Sequence, residues 1–235
     1  MSNQLSALIL FFVSFTSISA WASDARPRPD LRFDRDVDAS LKQQILNDLE
    51  FMGSLKGSKA TPLHRKIFGK VDGQSYLRWF DDRVSTVGKN LCGSDTAVAC
   101  VLSAWPNKIW MSPNYTKFSQ PQIARLSVIY HEARHTEADE RFWPHATCPR
   151  PFLNDEGKDV RSIWTGALLQ GEPACDVTAF GSYGSQTILL KNIALNCDNC
   201  TEKVRADADL FANDQLIRII DPSSKAAMKK DFGMQ

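Results

Sequence analysis

The sequence predicts an α+β fold, mainly helical, in which a small sheet or hairpin packs against one long helix. Three observations carry this prediction. Apolar residues recur at helical spacing in several separate stretches, most clearly over residues 120–139. Two short β-prone runs, 98–104 and 108–112, flank Trp105-Pro106-Asn107, and the punctuating Pro and Asn predict a hairpin turn. The chain has 235 residues with no internal repeat and no low-complexity tract, which suits one sizeable domain with its own core.

The elements follow in order. Residues 1–22 end in Ala20-Trp21-Ala22 after an apolar core of signal-peptide length, so they predict a cleavable export signal and a mature chain of about 213 residues. The stretch is short for a membrane-spanning helix, and serines and a threonine dilute its second half. Residues 23–37 are charged and Pro-rich and predict an extended lead-in to a single domain over 38–235. Over 38–52, Leu41, Ile45, Leu46 and Leu49 share one helical face, and a loop follows over 53–62. Residues 73–88 place Tyr76, Leu77, Trp79, Phe80, Val84 and Val87 at mostly helical intervals. After the hairpin, Ser119 and Gln122 match a capping box, with Pro121 in the first turn of the helix over 120–139. Prolines and an Asn-Asp-Glu-Gly run make 141–158 a loop. A short helix over 160–171, a helix opened by Pro173 and running to 195, and an amphipathic helix over 200–220 complete the chain.

Charge and cysteine content narrow the function classes. Lys and Arg number 28 against 27 Asp and Glu, so nothing points to a nucleic-acid partner or an anionic membrane surface. No second apolar run is long enough to span a bilayer. All six cysteines lie beyond the export signal, and an even count in an oxidising compartment predicts disulfides. The nearest-neighbour set is Cys92–Cys100, Cys148–Cys175 and Cys197–Cys200. The last is a C-x-x-C without a second Cys or His pair, so it predicts a structural clip rather than a redox or zinc motif.

The chemistry concentrates in the helix over 120–139. His131 and His135 stand four residues apart and project from one helical face, where both imidazoles can reach one Zn²⁺. Glu132 stands one residue round the helix, placed to serve as general base toward water polarised by the metal. This H-E-x-x-H arrangement on a helix, preceded by the strand-like "NKIWMS", resembles the zincin metallopeptidases over about a quarter of the chain. Arg134 and Glu137 stand where the zincin pattern favours an uncharged and an apolar residue. The resemblance implies a zinc-dependent peptide hydrolase with a peptide or protein substrate, and an edge strand beside the helix that binds extended peptide.

A catalytic zinc takes three protein ligands. Arg141 stands where the metzincin subfamily has its third histidine. The first candidate for the third ligand is His145, brought back by a short loop through Pro144. The alternative is Glu172, which with Asp176 has the E-x-x-x-D spacing of the gluzincins. Asp176 ranks third as a ligand and better as a hydrogen-bond acceptor for a ligand histidine's free N–H. A Cys148–Cys175 disulfide would hold His145 near Asp176. Gly181 and Gly184 predict close packing, or a turn that carries Tyr183 to the site as a hydrogen-bond donor. His64 is expected to be structural or solvated. Two further functional classes compete: a non-catalytic envelope protein with a structural zinc, and a disulfide-stabilised interaction protein without metal.

Overall fold

In a computed structural model, the described residues are 31–89 and 92–234. The expected export signal over 1–22 and most of the expected lead-in lie outside them. The remainder of the lead-in contributes to the sheet: β1 (Arg32–Phe33) pairs with β2, and Leu31 and Val37 are buried. Helix α1 (Ala39–Ser54) starts where Asp38 accepts from the Leu41 N–H, and it buries Leu41, Ile45 and Leu49 as its apolar stripe requires. Leu46 of that stripe is half-buried.

The stretch read as helix over 73–88 divides. Helix α3 (Gly73–Asp81) ends early, and Thr86–Lys89 forms strand β2. The β-branched Thr86 and Val87 find sheet neighbours on both sides, and this pairing overrides the helical spacing. The hairpin forms as expected from β3 (Ala99–Val101) and β4 (Lys108–Met111), paired antiparallel. The mixed sheet has the order β1-β2-β4-β3, so β4 is interior and β3 is an edge. The strand nearest the histidine helix in sequence is therefore not the edge strand.

Helix α5 (Gln122–Arg134) is shorter than the stretch 120–139 and lacks the capping box. Pro121 is its N-cap residue, without a side-chain cap, and the Gln122 amide donates instead to Asp48 of α1. The predicted face of Ile123, Leu126, Ile129 and Tyr130 is buried, but so are Ala124, Ser127, Val128, His131, Glu132, Ala133 and Arg134. The helix packs against α1, the sheet, α6 (Ser182–Asn196) and α7 (Glu202–Ile217), so it is a central helix rather than an amphipathic surface one.

No helix forms over 160–171. Ser162 Oγ accepts from the N–H groups of Trp164 and Thr165, and Gly166 and Gly171 adopt positive φ. The helix expected from Pro173 begins only at Ser182. The backbone between is committed elsewhere: Cys175 pairs with Ala146, and Asp176 with Ile219. Helices α2 (Pro62–Ile67), α4 (Pro113–Lys117) and α8 (Pro222–Asp231) were not anticipated. Each starts with the same local signal, a capping Thr61, Ser112 or Asp221 followed directly by Pro. The three disulfides are Cys92–Cys100, Cys148–Cys175 and Cys197–Cys200. Among the described residues, no helix is long and apolar enough to cross a membrane.

Candidate metal centre

His131 and His135 sit at the end of α5, with His135 at its C-cap in helical conformation. The chain then folds back sharply. Arg141, Phe142 and Trp143 take φ values of 52°, 64° and 45°, a left-handed run unusual for residues with a Cβ. This run returns the Phe142 carbonyl to His135 and delivers His145 to the helix end. Arg134 and Glu137, the two departures from the zincin pattern, hold it. The Glu137 carboxylate accepts from Arg134 Nη1 at 2.6 and 2.8 Å, from Arg83 Nε at 2.7 Å and from Trp143 Nε1 at 2.7 Å.

The Nε2 atom of His145 lies 3.3 Å from that of His131 and 3.1 Å from that of His135. The other ring nitrogens are all engaged. Nδ1 of His145 faces Asp176 Oδ1 at 3.0 Å, and Nδ1 of His135 faces the Phe142 carbonyl at 2.8 Å. Nδ1 of His131 faces Gln186 Oε1 at 3.1 Å, while the Gln186 amide donates to Ser127 Oγ at 2.8 Å. Each outer partner can accept a hydrogen from Nδ1, and in that tautomer a neutral ring turns its Nε2 lone pair to the centre. Burial and the neighbouring histidines hold His131 well below the usual imidazole value. Burial, with the nearby His145, holds His135 at about 4.

Three imidazole nitrogens that face one another are an arrangement that a cation completes when their lone pairs point inward. The three residues offer ligand atoms within 4.8 Å of one another. Tetrahedral ligands at zinc–nitrogen distances of about 2.0–2.1 Å lie roughly 3.3 Å apart. The two separations from His145 Nε2, 3.3 and 3.1 Å, match, and the hydrogen-bonded Nδ1 atoms are the outer support that metal-ligating histidines use. The cluster therefore fits a divalent metal.

Glu132 is buried, and its Oε2 has no hydrogen-bond partner among the described residues. Burial pushes its carboxyl up to about 8. With His131 and His145 it lines a cavity of about 560 Å³. Tyr183 stacks on His145 with ring centroids 4.6 Å apart and meets the edge of His131 at 4.5 Å. Its oxygen accepts from Arg218 Nη1 at 2.9 Å, and burial raises the phenol above its usual value, so it stays a donor.

The remaining sequence candidates fall into place around this centre. Glu172 is exposed at the cavity wall and outside the histidine cluster; its carbonyl accepts from the Cys148 N–H. Asp176 is buried, and while Oδ1 takes His145, Oδ2 accepts from the N–H groups of Tyr183 and Gly184 at the start of α6. A Cβ at Gly181 would stand 2.4 Å from Asp176 Oδ2, which is why glycine precedes that helix. His64 lies away in the core, bonded to Tyr76 Oη and the Gly69 carbonyl. Gln186, Gln215 and Arg218 were not foreseen. Arg218 carries a signal, a charged residue inside the apolar run Leu216-Ile217-Arg218-Ile219-Ile220, whereas Gln186 and Gln215 stand beside polar residues and carry none. No family model, curated protein or solved structure matches this chain.

Proposed function

We propose that the chain is an exported zinc-dependent metallopeptidase of the zincin type, with His131, His135 and His145 as the zinc ligands and Glu132 as the general base. One observation carries the proposal: His131, His135 and His145 converge on one point, and two of them, His131 and His145, share a cavity with a buried carboxylate, Glu132, whose Oε2 has no partner among the described residues. Zinc, when bound, supplies Lewis acidity that polarises a carbonyl and acidifies water. Glu132 takes the proton of the attacking water at its carboxylate and returns it to the leaving amine nitrogen as the C–N bond breaks. Tyr183, whose oxygen already accepts from Arg218, keeps its own proton to donate to the carbonyl oxygen as charge develops there. Among the described residues, strand β3 leaves one side of its backbone unpaired at the sheet edge, and Ala99 in it lines the cavity, which suits an extended peptide substrate. Export is supported by the three disulfides, which persist in oxidising compartments.

A closed structural zinc site takes four protein ligands. Among the described residues the cluster has three, which favours a catalytic site over a structural one. The deciding experiment compares wild type with Glu132→Gln on a broad peptide library. Both are expected to hold zinc, and the variant to lose on the order of 10²–10⁴ in rate. Equal cleavage by the two, or zinc binding without any cleavage by wild type, would replace this proposal with the structural-zinc envelope protein.

A further inference from the structure

The cavity beside the histidines has a second polar feature that water activation does not use. Among the described residues lining it, Arg218 is the one arginine or lysine. Arg218 ends α7 and is 5% exposed. Its positive charge is poorly balanced. Among the described residues, Nη1 donates to Tyr183 Oη, the one carboxylate oxygen within 4 Å is Asp214 Oδ2 at 3.8 Å from Nη2, and Nε has no partner. Asp214 Oδ2 is itself taken by the Gln215 amide at 2.7 Å. That bond fixes the Gln215 side chain with its Oε1 buried and unpartnered, in a residue that also lines the cavity.

A buried guanidinium with spare donors and a buried amide oxygen with no donor call for one ligand that carries both complements. A guanidinium fork matches a carboxylate in two parallel hydrogen bonds. An amide oxygen takes an N–H. We infer that Arg218 and Gln215 form a carboxylate-recognition subsite, with Arg218 taking the free carboxylate of a peptide's C-terminal residue and Gln215 Oε1 taking that residue's N–H. The subsite belongs to the same cavity as the metal centre, and Tyr183 touches both, through its oxygen to Arg218 and through its ring to His131 and His145. The remaining wall includes Trp164, Leu168 and Leu169, which suits an apolar side chain on the bound residue. This inference rests on the metallopeptidase proposal for its substrate class, and it makes cleavage near a free C-terminus the preferred outcome.

The test measures binding, so that it stands apart from catalysis. Calorimetric titration of the mature chain, zinc-loaded and after chelation, would use three probes: N-acetyl-Ala-Ala as the free acid, its C-terminal amide, and N-acetyl-Ala-Glu amide. The free acid is expected to bind at least about tenfold more tightly than either amide, with or without zinc. Arg218→Gln should abolish that preference. Arg218→Lys, which keeps the charge and loses the fork, should retain part of it. Should Arg218→Gln fail to fold, the probe comparison in wild type and the Lys variant still decide. Tighter binding of the Glu-containing amide would assign the subsite to acidic side chains and overturn recognition of a C-terminus. Equal affinity for all three probes, or no saturable binding up to about 10 mM, would overturn the subsite altogether. Loss of peptide hydrolysis with the preference intact would count against the proposed activity and leave the subsite standing.

Discussion

Nδ1 of His145 lies 3.0 Å from Oδ1 of Asp176 across 31 residues of chain. The other oxygen of that carboxylate accepts from the first backbone N–H groups of α6, so one buried side chain orients a candidate metal ligand and caps a helix together. The mature chain is expected to hold about one zinc, and His131→Ala with His135→Ala to hold none. Asp176→Asn should weaken zinc affinity by roughly 10–100-fold. The amide oxygen can keep accepting from the N–H groups of Tyr183 and Gly184, so stability should change by less than about 1 kcal/mol. Competition with a chelating indicator and a thermal melt measure the two effects, and unchanged zinc affinity would disconnect Asp176 from the centre.

Glu137 is expected to be the strongest structural determinant outside the histidines. It balances Arg134 and Arg83 and ties down Trp143 in the left-handed run that returns Phe142 to His135. Holding three such residues costs on the order of 1–2 kcal/mol each. Glu137→Ala leaves two largely buried cations without their partner and should cost about 3 kcal/mol or more. Zinc affinity should fall with it, because the His135 Nδ1 bond depends on the same turn. Trp143→Phe removes one hydrogen bond and should cost about 1 kcal/mol. Chemical denaturation of both variants checks the ranking, and equal midpoints would refute it.

The disulfide Cys148–Cys175 closes a separation of 27 residues and is flanked by the paired backbone of Ala146 and Cys175. By the chain-entropy relation its removal should cost about 3.5 kcal/mol. The double replacement Cys148→Ala, Cys175→Ala should therefore lower the denaturation midpoint. It should also weaken zinc binding, since His145 and Asp176 stand beside the two half-cystines. A variant that melts with wild type would show that the loop is held by its hydrogen bonds alone.

His64 predicts a pH dependence. It is fully buried between Tyr76 Oη and the Gly69 carbonyl, and burial lowers its pKa from about 6.5 to about 4. Between these values the unfolded chain binds the proton and the folded chain does not. Stability is therefore full above about 6.5, falls as pH drops toward 4, and levels off below it. The full span is on the order of 3 kcal/mol. With chelator present throughout, the stability advantage of wild type over His64→Gln should shrink by that order across this window. An advantage that stays constant from pH 7 to pH 4, about three pH units, would contradict it.

The sequence alone was sufficient for what depends on near neighbours in the chain. The apolar stripe of α1, the Pro-Asn hairpin turn and the i,i+4 histidines with Glu132 between them follow from spacing and local chemistry, and the nearest-neighbour pairing expected of the cysteines, one of fifteen possible sets, is the one the fold adopts. The missed helices α2, α4 and α8 belong to the same category, since Thr-Pro, Ser-Pro and Asp-Pro starts stand in the sequence to be read. What the spacing could not decide was set by backbone commitments to distant partners. Thr86 and Val87 became a strand because β1 and β4 lay beside them, and residues 173–181 stayed out of α6 because Cys175 and Asp176 pair with Ala146 and Ile219.

The candidate centre divides the same way. His131 and His135 come from one helical turn. Their supports come from 14, 31 and 55 residues apart along the chain: His145 on His131, Asp176 on His145, and Gln186 on His131. The choice of His145 over Glu172 turned on a left-handed run at 141–143 that no propensity favours, held by an ion-pair cluster whose members look out of place in the motif. Arg218 and Gln215 reached the cavity only through the packing of α7 against α6. Local periodicity is a short-range signal of one chain segment. A buried polar site is a balance of donors and acceptors among many segments, and that balance exists only once the tertiary structure has brought them together.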